Sequence, residues 1–140
     1  GSRGLGDVYK RQALTSNIGS NDFQELKLDN NDKLYQKVIK TSRTWKNSSR
    51  IMYVVGAKNT KEIRKIRDMV PDSYLLIPGV GAQGGNMAEI CKQGLDKNLK
   101  LIINSSRSII YASLNDDFAE CAAKEAKKIR DEMENYINAL

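Results

Sequence analysis

Apolar segments typical of buried strands alternate four times with segments of helical spacing, and this alternation constrains the fold of the chain more than any other feature. The predicted strands occupy residues 13–15, 51–55, 74–77 and 99–103. Each is followed by apolar residues at intervals of three and four, which predict a helix with one buried face. Repeating units of about 32 residues built in this way specify an α/β fold with a parallel sheet covered by helices.

Two closures of such a sheet are compatible with this spacing. A doubly wound open sheet would be complete in the 140 residues of the chain. A barrel of eight strand-helix units needs about 250 residues, so four units would form half of one. The loops that follow the strands must therefore distinguish the two folds.

Residues 1–12 differ in composition from the rest of the chain. They combine three glycines with four charged residues and show neither strand nor helix periodicity. We interpret them as a non-native, adapter-like or disordered tail, and we place a single domain over residues 13–140.

Several side chains are expected to define the helices and the core. Asn59, with Glu62 three residues later, predicts a capping box. Trp45 and Tyr74 are expected in the core, whereas residues 61–62 and 65–68 are expected on solvated helix faces. The last helix is predicted to begin near residue 117, with a buried stripe formed by Phe118, Ala122, Ile129, Met133, Tyr136 and Leu140.

Composition excludes several classes of function. The net charge of +6 permits an anionic partner, but the basic residues form no run and few aromatics accompany them, which argues against nucleic acid. No apolar run approaches the roughly 20 residues of a membrane-spanning helix. The chain has no histidine, which removes Ser-His and Cys-His nucleophile pairs. Cys91 and Cys121 support neither a metal site nor a disulfide framework, and we expect two buried thiols in a cytoplasmic protein.

The loop after the third strand carries the strongest chemical signal. Residues 79–84 (GVGAQG) match G-x-G-x-x-G literally, a pattern that can bind a dinucleotide. That motif opens a long helix and is followed by an acidic residue at the end of the next strand. Here the following helix is short and the next strand ends in Asn104, so a nicotinamide or flavin cofactor is disfavoured. Glycines in such a loop also let the backbone approach a ligand closely and direct its N–H groups at an anion, and we expect this of the glycines at positions 79, 81, 84 and 85.

The loop after the fourth strand adds a second anion-binding signal. Residues 104–107 read NSSR and lead into a predicted helix start, where free N–H groups favour a phosphate. Arg107 would add a charged, two-pronged donor. The last two strand ends of a TIM barrel are its common phosphate site. The two loops therefore favour the C-terminal half of a (β/α)8 barrel with parallel strands.

Four motifs in order resemble the orotidine 5′-phosphate decarboxylase family, in its bacterial branch. They are TSN at residues 15–17, VVGA at 54–57, PGVGAQGG at 78–85 and NSSR at 104–107. The resemblance covers about residues 13–111, and the final helix is consistent with it. It implies a cytoplasmic lyase of pyrimidine biosynthesis that converts orotidine 5′-monophosphate to UMP, works without a cofactor or metal, and forms a homodimer.

The resemblance also assigns roles to individual residues. It implies that Arg107 binds the 5′-phosphate and that Gln83 closes over it towards the pyrimidine. Ser16 would hydrogen-bond the base. Gly85 and the backbone near Ser106 would complete the phosphate site.

The family's catalytic Asp-x-Lys-x-x-Asp array does not occur in this sequence. We therefore expect no catalytic residue in this chain, which would hold only the C-terminal half of the barrel and be inactive alone. Two alternatives remain open at this point. One is a phosphosugar lyase or isomerase on the same barrel, and the other is a noncatalytic half-barrel that binds nucleotide phosphates.

Overall fold

The computed structural model describes residues 9–81 and 85–140, and within them a single parallel sheet has the strand order β1-β2-β3-β4. The strands are β1 (Tyr9–Leu14), β2 (Ile51–Val55), β3 (Leu75–Pro78) and β4 (Leu101–Asn104). The helices are α1 (Ser20–Phe23), α2 (Leu34–Arg43), α3 (Thr60–Met69), α4 (Met87–Gly94), α5 (Ser106–Ile110) and α6 (Phe118–Ile137), with a 3-10 turn at Ser48–Arg50.

Burial alternates along the central strands and shows which face of the sheet the helices cover. In β2, Tyr53 and Val55 are buried while Met52 and Val54 are only half-buried, and β3 repeats the alternation. The buried face forms one core with apolar residues of α2, α3 and α4, among them Ile39, Ile63, Ile66 and Ile90. A doubly wound sheet buries both faces, so this one-sided cover within the described residues is typical of a barrel wall.

The first strand begins earlier than its sequence predicts. Residues 9–12, interpreted as part of a tail, form the first four positions of β1 and pair in register with β2 from Ile51 to Val54. The interpretation as disordered is therefore wrong for these four residues, because backbone pairing to β2 recruits them without an apolar pattern of their own. The preceding residues 1–8 lie outside the described part of the chain.

Other predictions of burial are wrong at the surface of the fold. Trp45 and Tyr74 are 43% and 48% exposed. The stripe predicted for the last helix is only partly buried, at Ile129, Met133 and Tyr136. Phe118 is exposed, and so is Leu140, which lies beyond the end of α6. The helix is long and amphipathic, and among the described elements its main contacts are with α4 and α5. The periodicity predicted which face of α6 packs against the fold. It could not predict what fraction of that face is covered by other elements.

One of the residues predicted on a solvated helix face is buried. Arg67 of α3 is 2% exposed, and its guanidinium lies at the edge of the sheet where strands begin. It donates to backbone carbonyls of Val70, Pro71, Ser73, Gly94 and Lys100. These five carbonyls belong to the ends of α3 and α4 and to the segments that enter β3 and β4, so one side chain joins four parts of the fold.

The two cysteines differ in environment. Cys91 is buried in α4, as predicted, and burial raises the pKa of its thiol to about 11. Cys121 is only half-buried on α6, where its Sγ lies 3.3 Å from Oδ2 of Asp117, so the prediction of a core position is wrong for it. In the ranges that the structure describes, no helix is both long and apolar enough to cross a membrane.

Candidate functional site

The four sequence motifs lie side by side along the edge where the strands end. Backbone hydrogen bonds join each strand end to the next. The Gly56 N–H donates to the Leu14 carbonyl at 2.8 Å, the Ala57 N–H to the Pro78 carbonyl at 3.2 Å, and the Gly79 N–H to the Asn104 carbonyl at 3.1 Å. Parallel strands place the ends of successive βα units at one edge, which explains why motifs far apart in sequence meet here.

The described part of the glycine loop folds back on itself after β3. Gly79 and Gly81 have φ values of +89° and +79°, a region that favours glycine. Their N–H groups donate to the carbonyls of Asn104 and Gly85, the second at 3.4 Å. We expected loop glycines to direct N–H groups at an anion, and for these two glycines that expectation is wrong because backbone carbonyls already occupy their N–H groups.

Ser105 joins the two loops that were predicted to bind phosphate. Its side chain is buried, and its Oγ donates to the Val80 carbonyl at 2.8 Å. The same Oγ lies 2.6 Å from Oγ of Ser108. The loop after β4 is therefore fixed to the loop after β3 through the first serine of the Asn-Ser-Ser-Arg motif, a role that sequence reasoning did not assign.

A small open pocket of about 140 Å³ lies between these two loops. Its lining includes Gly79 from the first loop and Ser106 and Arg107 from the second. The side chain of Arg107 is exposed and makes no hydrogen bond or ion pair with the residues the structure describes. Ser106 and Arg107 belong to the first turn of α5. The backbone N–H groups in the first turn of a helix have no preceding helical carbonyl to bind. The pocket therefore combines an exposed positive charge with backbone donors, a combination suited to an oxyanion.

The remaining predicted residues of the glycine loop are placed only in part. Gln83 lies in the segment 82–84, outside the described residues. Gly85 does not line the 140 Å³ pocket, and instead packs against the end of β2. A Cβ at position 85 would lie 2.5 Å from Cβ of Ala57, so only glycine allows the loop to approach β2 this closely. The roles of Gln83 and Gly85 towards a ligand stay predictions.

Ser16 lies at the other end of this row of motifs, just after β1. Its Oγ is buried and has no hydrogen-bond partner among the residues with described positions. It packs directly against Gly56, the glycine of the Val-Val-Gly-Ala motif. A buried hydroxyl without a partner costs free energy, so a polar group that reaches it would be bound favourably.

Two residues that the sequence analysis did not assign hold the segment before Ser16. The amide of Gln24 accepts a hydrogen bond from the Thr15 N–H at 2.8 Å and donates one to Thr15 Oγ1 at 3.0 Å. Asn59 donates from Nδ2 to the Thr15 carbonyl at 3.0 Å. Gln24 lies just after α1 and Asn59 just before α3, and their residue type alone did not separate them from ordinary turn residues.

The predicted capping box at α3 does not form. Asn59 is the residue before the helix, but its side chain makes no capping hydrogen bond, because it bonds to Thr15 instead. Glu62 accepts a hydrogen bond from the hydroxyl of the buried Tyr35 and lies 3.1 Å from Lys65 Nζ. Both side chains of the predicted box are thus used in contacts to other elements.

Glu62 and Tyr35 form the most perturbed titratable pair near this edge. Burial raises the pKa of Tyr35 well above its ordinary value, and the hydrogen bond to Glu62 raises it further. Burial alone would raise the pKa of Glu62, but hydrogen bonds from Tyr35 and Lys65 and the nearby charge of Lys33 outweigh it and lower the pKa. The pair joins α2 to α3 and keeps Glu62 ionised.

Known proteins resemble the chain over nearly its whole length. It is 52% identical over 127 residues to orotidine 5′-phosphate decarboxylase of Flavobacterium johnsoniae, a match that covers 91% of the chain and 46% of the relative. The same enzyme of Christiangramia forsetii is 50% identical over 128 residues, and that of Bacteroides fragilis is 44% identical over 128. No protein-family model matches the chain.

Solved structures agree with these relatives. UMP synthase of Leishmania donovani matches with a TM-score of 0.71 and 29% identity over 87% of the chain, and OMP decarboxylase of the same organism matches with 0.69 and 26%, also over 87%. The chain covers 27% and 46% of these two structures. The prediction of four parallel βα units of a TIM barrel is confirmed, while the assignment to the C-terminal half stays a prediction. The chain is a homologue of the orotidine 5′-phosphate decarboxylases and spans about half the length of the curated relatives it matches.

Proposed function

We propose that this chain supplies the phosphate-binding and pyrimidine-binding loops of an orotidine 5′-phosphate decarboxylase, a cytoplasmic lyase that forms UMP and acts as a homodimer. The observation that carries the proposal is the pocket of about 140 Å³ between the loops after β3 and β4, lined by Gly79, Ser106 and Arg107. Sequence identity of 44–52% to decarboxylases that bear this name supports the choice of substrate.

The phosphate group of the nucleotide occupies this pocket in our proposal. Arg107 offers two parallel N–H donors, and the planar guanidinium matches two phosphate oxygens. The N–H groups of the first turn of α5 add neutral donors, and Ser105 fixes that turn to the opposite loop. Because Arg107 has no competing partner among the described residues, binding a phosphate breaks no existing ion pair.

The pyrimidine lies towards β1 in the same proposal. Ser16 presents a buried hydroxyl at this end of the row of motifs that has no partner among the described residues, and a pyrimidine carbonyl or N–H would satisfy it. Gln83, between the two ends in sequence, would bridge the phosphate and the base. The substrate loses its carboxyl group in the reaction. Contacts to parts of the substrate remote from that group supply binding energy, which organises the active site of a decarboxylase.

Binding and chemistry are separable in this chain, since its sequence contains no Asp-x-Lys-x-x-Asp array. A purified sample of the 140 residues should bind UMP and leave orotidine 5′-monophosphate unchanged. Following the loss of substrate absorbance tests the second statement directly, and any turnover above that of buffer contradicts it.

Titration with UMP, followed by amide chemical shifts, tests the assignment of the phosphate pocket. Arg107→Ala should weaken UMP binding about ten- to hundredfold, since a hydrogen bond to a charged group contributes roughly 1.5–3 kcal/mol. Arg43→Ala is the matched control, because Arg43 is an exposed arginine in the last turn of α2, at the edge where strands begin. Equal affinity of the two variants contradicts the assignment. Tighter binding of ribulose 5-phosphate than of UMP would favour a phosphosugar enzyme instead.

A further inference from the structure

The backbone of Thr15 is held from two sides by side chains of other segments. Gln24, just after α1, uses both ends of its amide on the N–H and the hydroxyl of Thr15. Asn59, just before α3, binds the Thr15 carbonyl. The backbone N–H and the backbone carbonyl of Thr15 are thus each bound by a side-chain amide, from residues that lie 9 and 44 positions away in sequence.

Asn59 gives up a local interaction to make this contact. Asparagine is a favoured residue before a helix because its side chain caps the first N–H groups, which is worth about 1 kcal/mol. Here no capping hydrogen bond forms at α3, and Nδ2 of Asn59 is directed to Thr15 instead. A residue placed for helix stability alone would cap the helix.

Ser16 follows Thr15 directly and has little freedom of its own. Gly56 lies against its backbone nitrogen and its Oγ, so that a Cβ at position 56 would be 2.7 Å from the first and 1.9 Å from the second. The position of the Ser16 hydroxyl is therefore determined by the glycine behind it and by the fixed residue before it.

We propose that Gln24 and Asn59 are positioning residues that fix Thr15 so that the hydroxyl of Ser16 can select a pyrimidine nucleotide over a simple ribose phosphate. This inference rests on the proposed function, because it takes Ser16 as the pyrimidine contact. Displacing a recognition group by about 1 Å is enough to cost a large part of its contribution. The phosphate pocket, formed by the loops after β3 and β4, does not involve Thr15.

The test compares affinities for UMP and ribose 5-phosphate in the 140-residue chain, measured by amide chemical shifts. Asn59→Asp removes the donor to Thr15 while keeping a good helix-capping residue, so the variant should retain its fold. Gln24→Met removes both hydrogen bonds at nearly constant volume. We expect the preference for UMP over ribose 5-phosphate to fall about tenfold in each, as in Ser16→Ala, with ribose 5-phosphate affinity changed less than about twofold.

Gln36→Met is the matched control. The Gln36 amide also accepts a backbone hydrogen bond at a helix start, from the Lys33 N–H at 2.7 Å, but does not contact Thr15. Its preference should equal that of the original chain. General loosening of the fold would lower both affinities together and would not change their ratio.

The outcomes separate this inference from the proposed function. If Ser16→Ala lowers the preference while Asn59→Asp and Gln24→Met keep it, the positioning role is overturned and the pyrimidine contact stands. If Ser16→Ala itself keeps the preference, the pyrimidine contact is wrong and the positioning role falls with it.

Discussion

Ser16 occupies the space that a side chain at Gly56 would need. A Cβ on Gly56 would lie 1.9 Å from Oγ of Ser16, a distance that non-bonded atoms cannot adopt. The requirement for glycine arises from the close approach of two neighbouring strand ends. The Val-Val-Gly-Ala motif is thus coupled to Thr-Ser-Asn by packing.

Gly56→Ala should therefore displace Ser16 and destabilise the fold. We expect the free energy of unfolding to fall by about 1–3 kcal/mol, the usual cost of overpacking, and the preference for UMP over ribose 5-phosphate to fall with it. Urea denaturation and ligand titration measure the two effects. Gly19→Ala is the control, since Gly19 has a helical φ of −65° and a Cβ there would meet only the flexible ends of Asn17 and Asp22. Equal stability of Gly56→Ala and the original chain would contradict the steric argument.

The order of strands and helices was predictable because each depends on a short-range pattern. The continuous apolar run of β2 predicts a strand, and the apolar spacing at Ile63 and Ile66 predicts a helix. Both elements form as these local patterns predict. The sites at strand ends were predictable for a related reason. Parallel βα units bring residues that follow each strand to one edge, whatever the intervening helices contain.

Interactions between distant segments were not predictable in the same way. Asn59 and Glu62 fit a capping box by spacing, but both found partners on other elements, at Thr15 and Tyr35. Leu99 was predicted to begin the fourth strand, yet its φ of +52° is incompatible with a strand, and β4 begins at Leu101. In each case the hydrogen-bond partner or the backbone turn is determined by the three-dimensional path of the connecting segments. The spacing of residues in the sequence does not specify that path.

Arg67 provides the second prediction, which concerns stability at the edge remote from the site. The guanidinium of Arg67 is the side-chain donor to five backbone carbonyls, of which those of Val70 and Lys100 also accept from backbone N–H groups. Its removal takes away all five of these hydrogen bonds, so Arg67→Ala should lower the free energy of unfolding by about 3 kcal/mol or more. Arg67→Lys keeps the charge but cannot reach all of these carbonyls, so it should be intermediate.

Urea denaturation measures both Arg67 variants, with Arg64→Ala as the control on the same helix. The Arg64 side chain is 43% exposed, donates one hydrogen bond to the Lys92 carbonyl and lies 3.8 Å from the Asp68 carboxylate, so its loss should cost no more than about 1 kcal/mol. Similar costs for Arg64→Ala and Arg67→Ala would show that the buried hydrogen bonds of Arg67 contribute little.

The third prediction concerns pH. The pKa of Glu62 is lowered in the folded chain from its ordinary value of 4.5, so below this pH the unfolded chain binds the proton more readily than the folded one. The contribution of Glu62 to stability is therefore fully present above pH 4.5 and is lost as the pH falls through the lower, folded value. Glu62→Gln should flatten this part of the stability profile, and Tyr35→Phe should move the loss to higher pH.

Thermal denaturation between neutral pH and the acid limb measures these profiles. Glu120→Gln, an exposed substitution on α6, is the control and should retain the slope of the original chain. A profile for Glu62→Gln that overlays that of the control would mean that the contact between Glu62 and Tyr35 does not contribute to acid sensitivity.

The last prediction follows from the edges of the sheet. Among the described strands, β1 and β4 each lack a neighbour on one side, and the sheet face away from the helices leaves Met52 and Val54 half-buried and Ile102 38% exposed. Unpaired edges with apolar side chains pair readily with other chains. We expect the 140-residue chain to self-associate as its concentration rises, with mass followed by sedimentation or light scattering. Ile102→Lys places a charge at this edge and should restore the monomer, whereas Ile110→Lys, at a 63% exposed position of α5 outside the sheet, should not. A monomer mass for the original chain at every concentration tested would mean that the open edges are protected, and that the barrel wall is stable without a second set of strands.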